Sequence, residues 1–391
     1  MKGIGLYRRK SKWRKLSKNG SVYMISFLIL FFLIGVLTAL KPALQITSEK
    51  IEKWTSSIDG TSFLYLMQQE NKIFSYAFPE NIPEVSVTKV AFQLATQVKP
   101  TDPRTFLGRE LPGVSTYNEQ IIVAGEGTDY TTMPIESSPP FEVLDQNRVA
   151  NVDESLLHEE EDTPHHAQGN TLGKPTVFVY QSHNRESFLP HLPKGTEPNS
   201  AVHKEVNISL VGKRFSKKLE ENGIPTEYSN KDIPNLLKQM GLQYFESYSA
   251  SREMVTEALA QNKSLSYLID FHRDSQRYET TTTEINGQKY ARTMFVIGGE
   301  NEGYEKNLSL AMKLHEKLQE KYPGLSRGVI TKKGAYTDGK FNQDLSQNSI
   351  LVEVGGIDNS LEELYRTADV FADLFSEFYF DAEMVSGQKE E

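Results

Sequence analysis

Strand-like and helix-like patterns of apolar residues alternate along the chain from about residue 174 onward. Short runs rich in Val, Ile and Leu predict buried strands, and apolar residues spaced near 3.6 positions apart predict helices. This alternation predicts an α/β fold, with a mainly parallel sheet and helices on both of its faces. The strand-like stretches are Thr176–His183, Thr226–Tyr228, Leu265–His272, Thr293–Gly298, Arg327–Thr331 and Ser349–Gly356, and the helical patterns are Val206–Leu219, Ser249–Leu259, Tyr304–Lys321 and Asn359–Phe378.

The N-terminal part of the chain has a different pattern. Residues 23–40 carry no charge and are almost wholly apolar, and at 1.5 Å per residue they span about 27 Å, close to the thickness of a bilayer core. Residues 1–22 are basic and contain no acid, which predicts a cytoplasmic tail, a single transmembrane helix and an extracytoplasmic remainder. A cleaved signal peptide is the alternative, but it usually has a shorter apolar region and a better cleavage site.

The remaining segments differ in composition. Residues 41–150 are expected to form a stalk and a membrane-proximal region, in which Gln120–Ala124 is a β-like run. Residues 151–172 are rich in charge and poor in apolar side chains, so they predict an acidic, solvated linker. The catalytic domain is therefore expected at 173–382, with a tail at 383–391.

Overall composition excludes some chemistry. The chain has no cysteine, which removes disulfides, thiolate ligands and a cysteine nucleophile. Its formal net charge of −9 argues against nucleic acid as a main partner.

Three of the strand-like stretches run into side chains that bind metals or move protons. The first reaches His183, another reaches His272, and the last contains Glu353. The carboxyl ends of parallel strands line the ligand crevice of an open α/β sheet, so these side chains are expected to converge. Two imidazoles and one further ligand leave Zn²⁺ an open position for water, and a nearby carboxylate can take the proton of that water. The pattern predicts a zinc hydrolase.

Each of these residues also has an ordinary structural interpretation. A lone histidine is more often structural or solvated than a ligand. Burying a glutamate without a partner inside an apolar strand costs several kcal/mol of folding free energy. Glu353 must therefore be paired, hydrated or used in the chemistry of the site.

Three segments resemble those of a known family. They read Ser-His-Asn-Arg-Glu-Ser-Phe-Leu-Pro at 182–190, Asp-Phe-His-Arg-Asp at 270–274 and Leu-Val-Glu-Val-Gly-Gly at 351–356. Together with the run at 341–346 they resemble the stage II sporulation protein P family, membrane-anchored cell-wall hydrolases of endospore-forming bacteria. More distantly the pattern is similar to zinc N-acetylmuramoyl-L-alanine amidases, in which two histidines and a third residue bind zinc and a glutamate is catalytic. The resemblance implies that Glu353 is this glutamate and acts as the general base that takes the proton of the water.

The resemblance implies a substrate and partners that the residues alone do not give. It implies cleavage of the amide between N-acetylmuramic acid and L-alanine in peptidoglycan, and endopeptidase action on peptide cross-links. It also implies stage II sporulation protein D as a partner during engulfment. Two alternatives remain open: a catalytically inactive peptidoglycan-binding or scaffold component of a membrane complex, and a different exported zinc enzyme.

Two residues compete for the position of the third zinc ligand. The amidases place a glutamate at the start of the first helix, where this chain has His203, so the helix register favours His203. Glu186, three residues after His183, is the rival, either as a ligand or as a partner of the ligands. We expect the remaining polar residues of these motifs to orient ligands or substrate; they are Asp270, Arg273 and Asn342.

Overall fold

The computed structural model describes residues 119–137, 139–146, 148–153, 156, 173–334 and 337–387. The predicted tail at 1–22, the apolar span at 23–40 and most of the linker at 151–172 lie outside these residues. Within the described part of the chain, no helix combines the length and the apolar character needed to cross a bilayer.

Nine strands are present in the described residues. They are β1 (Glu119–Ala124), β2 (Val177–Tyr180), β3 (Thr226–Tyr228), β4 (Tyr267–Asp274), β5 (Thr282–Ile285), β6 (Gln288–Ala291), β7 (Thr293–Gly298), β8 (Ser326–Lys332) and β9 (Asn348–Gly356). Seven of them form one sheet in the order β1-β8-β7-β9-β4-β2-β3, and β5 and β6 form a separate hairpin. The hairpin turns at Asn286 and Gly287, both with positive φ, as a two-residue turn between twisted strands requires.

The sheet is mixed, with two parallel blocks. Strands β3, β2, β4 and β9 are parallel to one another, and β7 is parallel to β8. The antiparallel pairs are β7 with β9 and β1 with β8. The predicted α/β class is confirmed, and the sheet is parallel in the block that carries the three expected site residues. The C-terminal ends of β2, β4 and β9 therefore lie at one edge.

Helices cover both faces of the sheet. They are α1 (Phe141–Leu144), α2 (Ile208–Glu221), α3 (Ile233–Met240), α4 (Ser247–Gln261), α5 (Tyr278–Thr281), α6 (Tyr304–Lys321) and α7 (Leu361–Gly387). On one face α2, α6 and α7 bury the main apolar core, where the Phe215 ring lies 5.0 Å from both Phe271 and Phe371. On the other face α3 and α4 cover Phe178, Tyr180 and Leu268.

The segment before the predicted domain belongs to the same fold. β1 pairs with β8 along the edge of the sheet, with Glu119 opposite Lys332 and Ala124 opposite Gly328. The expectation of a membrane-proximal region that ends at residue 150, with a catalytic domain that begins at 173, therefore needs correction. Residues from 119 onward complete the sheet. At the other end α7 continues to Gly387, past the tail expected to start at 383.

Candidate metal centre and active site

The ends of β2, β4 and β9 bring three predicted site residues to one face of the sheet. His183 follows β2 by three residues, while His272 and Glu353 lie opposite each other in the register of β4 and β9. Side chains of paired residues in neighbouring strands point to the same face. All three side chains are buried, at 4%, 1% and 6% exposure. We call these three residues the strand wall.

Aromatic rings enclose the two histidines. The His183 and His272 rings lie 5.1 Å apart at 79°. Tyr244 stacks on His183 at 5.1 Å, and Tyr248 stacks on His272 at 5.9 Å while it meets His183 edge-on at 5.3 Å. Tyr244 and Tyr248 belong to the turn and helix that begin at residue 244, so this element forms the apolar side of the site.

Carboxylates surround the imidazoles. Glu186 lies 3.9 Å from Nδ1 of His183 and 3.9 Å from Nδ1 of His272. Asp270 lies 3.1 Å from Nε2 of His272. Glu136, from the segment expected to be membrane-proximal, approaches Nδ1 of His183 at 3.0 Å. One donor atom from each of Glu136, His183 and His272 lies within 4.8 Å of the others.

Charge and burial shift the pKa values of two strand-wall residues in the metal-free protein. Burial raises the pKa of Glu353 from 4.5 to about 8, although the neighbouring His272 opposes the rise. Burial by itself would lower the pKa of His272, but the carboxylates of Asp270, Glu186 and Glu353 raise it to about 10. This cluster of acids stabilises positive charge at His272.

His203 has a different place from the one expected. Its Nε2 lies 2.9 Å from the Arg148 carbonyl, and its Nδ1 accepts hydrogen bonds from the backbone N–H groups of Glu205 and Val206. The helix begins later than the sequence suggested, because the Asn207 side chain caps it by accepting from Ser209 N at 2.8 Å. The structure does not bring His203 to the two histidines, since both of its ring nitrogens are engaged with backbone.

The other predicted residues support the site from outside. Asp270 accepts two hydrogen bonds from Ser182, which fixes the loop that carries His183. The backbone N–H of Arg273 donates to Glu186 at 2.9 Å. Asn342 donates to the Tyr248 carbonyl and to Ser251, so it positions α4 and not the imidazoles.

Residues 129–137, which we call the clamped segment, carry Glu136 to the site. Its backbone and Ser137 are held by groups from β8 and from the end of β4. Three side chains donate to carbonyls of the segment: Arg327 to Thr132, Gln276 to Met133 at 2.8 Å and Lys332 to Pro134 at 3.2 Å. The backbone N–H of Ile135 donates to Asp274 at 2.9 Å, and the Ile135 carbonyl accepts from Ser275 N at 3.0 Å. Arg273 donates to the Ser137 hydroxyl at 3.1 Å. Sequence reasoning missed this segment because Glu136 is a single acid without any local motif.

The donor set fits a zinc ion. Two imidazoles and a carboxylate are typical ligands of catalytic zinc, and bonds of about 2.0–2.1 Å place tetrahedral ligand atoms roughly 3.3 Å apart. The approaches of Glu136 and Glu186 to the ring nitrogens, at 3.0 and 3.9 Å, bracket that value. Nδ1 of His183 lies 3.0 Å from Glu136 and Nε2 of His272 lies 3.1 Å from Asp270, whereas the buried Oε2 of Glu353 makes no hydrogen bond.

Two solved structures are similar to this chain. N-acetylmuramoyl-L-alanine amidase from Clostridium difficile 630 aligns with 53% of this chain and 96% of its own, at 17% identity and a TM-score of 0.33. The CwlD amidase from Clostridioides difficile, solved in complex with the GerS lipoprotein, aligns with 52% of this chain and 98% of its own, at 12% identity and a TM-score of 0.34.

The sequence also matches a known protein family. The family described as Stage II sporulation protein P (SpoIIP) matches residues 101–376, a range that includes β1 and the clamped segment. The stage II sporulation protein P of Bacillus subtilis (strain 168) is 42% identical over 371 residues, which cover 93% of this chain and 92% of the relative. The chain therefore belongs to the stage II sporulation protein P family.

Proposed function

We propose that this protein is a peptidoglycan hydrolase, a zinc-dependent N-acetylmuramoyl-L-alanine amidase that acts in sporulation. The observation that carries the proposal is the convergence of two buried imidazoles and several carboxylates beside Glu353, whose Oε2 has no hydrogen-bond partner. Membership of the sporulation family supports the biological setting and the substrate.

His183 and His272 would hold the zinc, together with a carboxylate from Glu186 or Glu136. Zinc at such a site supplies Lewis acidity, which polarises a scissile carbonyl and makes water a stronger acid. Asp270 lies against the His272 ring, where a carboxylate fixes the orientation of a ligating imidazole and raises its basicity. Tyr244 and Tyr248 pack on the two rings and exclude water from that side.

Glu353 is the general base in this proposal. Its carboxylate accepts the proton of the attacking water and returns it to the departing amine of L-alanine. Burial holds its pKa high in the metal-free protein, which is the direction that suits a base working near neutral pH. A cation bound beside Glu353 favours the ionised carboxylate, which is the form that acts as the base.

Further parts of the proposal rest on the family resemblance and the N-terminal sequence. The basic residues 1–22 and the apolar residues 23–40 anchor the protein in the cell membrane, with the catalytic domain outside, facing the wall. Endopeptidase action on cross-links accompanies the amidase activity. Stage II sporulation protein D is the proposed protein partner, and no nucleic acid is involved.

Digestion of purified peptidoglycan tests the proposal. The full chain, purified in detergent, is incubated with intact sacculi, and the products are identified by mass spectrometry. We expect stem peptides with a free L-alanine amine, loss of these products after chelation, and recovery when Zn²⁺ is added back. Products cleaved only within the cross-links would show an endopeptidase without amidase activity. Binding without any cleavage would instead support the scaffold alternative.

A further inference from the structure

We infer that Glu136 is the third protein ligand of the zinc, with His183 and His272, and that Glu186 supports these ligands from outside. The inference rests on the proposed zinc site and deepens it. It assigns a metal-binding role to a segment that precedes all the recognised motifs.

Distances favour Glu136 over Glu186. Glu136 shares a set of donor atoms with both histidines in which all separations are within 4.8 Å, and its Oε1 is 3.0 Å from Nδ1 of His183. Glu186 stays at 3.9 Å from each imidazole. At 3.0 Å, Oε1 of Glu136 and Nδ1 of His183 are close enough to bind one common ion.

The partners of the two carboxylates also differ. One oxygen of Glu186 accepts the backbone N–H of Arg273 at 2.9 Å, which connects the loop after β2 to the end of β4. Glu136 accepts the Tyr248 hydroxyl at 3.1 Å. Ligating carboxylates are usually hydrogen-bonded in turn, which orients them toward the metal. Tyr248 is therefore well placed to hold Glu136 in position.

Buried groups hold the clamped segment, and with it Glu136, in place before the metal binds. Asp274 and Arg327 are both at most 1% exposed and form an ion pair, and each also bonds the backbone of the clamped segment. A ligand fixed in advance loses little conformational entropy when the ion binds. Three protein ligands leave the fourth zinc position open for water, which a catalytic site requires.

Zinc affinity of matched variants tests the inference. The full-length wild type is compared with Glu136→Gln, Glu186→Gln and, as a control, Glu142→Gln, an exposed glutamate of α1. Competition with a chromophoric chelator gives the dissociation constant for Zn²⁺, and the visible spectrum of the Co²⁺-substituted protein reports the ligand set. Loss of a ligand should weaken zinc binding more than about 100-fold, whereas an outer partner typically costs about 10–100-fold.

We expect Glu136→Gln to show the largest loss and a changed cobalt spectrum, Glu186→Gln a smaller loss with the spectrum retained, and Glu142→Gln no change. Wild-type affinity and spectrum in Glu136→Gln would overturn the inference while leaving the zinc site intact. Undiminished zinc binding in His183→Ala would overturn the proposed function itself.

If Glu136→Gln does not fold, Tyr248→Phe replaces it. That variant should weaken zinc binding about 10-fold or more, and unchanged affinity would again overturn the inference.

Discussion

The strand wall and the clamped segment meet at the same histidine but are held by different forces. His272 and Glu353 sit within paired strands whose alternate residues pack into the apolar core, so backbone hydrogen bonds and hydrophobic burial fix them together. The segment of Glu136 is fixed by hydrogen bonds that Arg327 and Lys332 donate to its carbonyls and by one that Asp274 accepts from its backbone. The strand wall is held by many contacts, so the loss of one contact matters little. The clamped segment depends on a few buried charged groups, and leaving any of them without a partner costs folding free energy.

Removal of a histidine from the strand wall should have the largest effect. His272→Ala should lose bound zinc and all measurable hydrolysis, because the ion loses a ligand at the centre of the acid cluster. His203→Ala is the matched control: it should retain zinc and lose only about 1 kcal/mol of stability from its hydrogen bonds to the start of α2. Metal analysis and sacculus digestion of both variants check this. A His203→Ala protein without zinc would show instead that His203 is a zinc ligand.

Glu353→Gln should lower turnover without removing the metal. It keeps the shape of the side chain but removes the base, so the rate should fall by about 10²–10⁴-fold while zinc content stays at the wild-type level. Rate and metal content are measured on the same preparation. A variant with full activity would exclude Glu353 from proton transfer.

Arg327→Met should release the clamped segment and leave the strand wall in place. Breaking a buried ion pair by removing one partner costs about 3–5 kcal/mol, and Asp274 would remain buried without its partner. Arg277→Met is the control, since the pair of Arg277 with Asp358 is largely exposed on the arginine side and should contribute about 0–1 kcal/mol. Denaturant unfolding of both variants gives the difference. Equal losses would mean that the buried pair does not hold the segment.

The smallest expected effect is a pH dependence of stability in the metal-free protein. Because the pKa of Glu353 is raised from 4.5 to about 8, the native state binds its proton more tightly than the unfolded state between these values. The unfolding free energy therefore falls as pH rises through this window. Glu353→Gln lacks this loss, so its melting temperature should exceed that of the wild type increasingly from pH 5 to pH 8. A difference that shrinks with pH would contradict the raised pKa.

Local patterns were sufficient for much of the strand wall. Short apolar runs that end in polar residues located β2, β4 and β9, and the rule that parallel strands share an edge predicted that His183, His272 and Glu353 would meet. The helices α2, α4, α6 and α7 were also found, with boundary differences of at most two residues except at the end of α7, which continues about two and a half turns further. Their periodicity is a property of neighbouring residues, so it is visible in sequence.

His203 shows where local reasoning fails. Its position relative to α2 suggested a ligand, yet the Asn207 cap starts the helix at Ile208, and the His203 ring turns to the Arg148 carbonyl. A shift of two residues in a helix start changes the direction of a side chain by about half a turn. The sequence does not reveal which of several polar residues will cap the helix.

The sequence by itself determined the strands, the main helices and the chemistry of the residues at the strand ends. Only the tertiary structure decided that β1 joins the sheet, that Glu136 reaches His183, and that Glu186 lies between the two imidazoles. These contacts join residues far apart in the chain, such as Thr132 with Arg327. The stabilisation comes from buried charged groups that are paired only once the whole sheet has formed. A pattern of neighbouring residues therefore cannot predict these contacts.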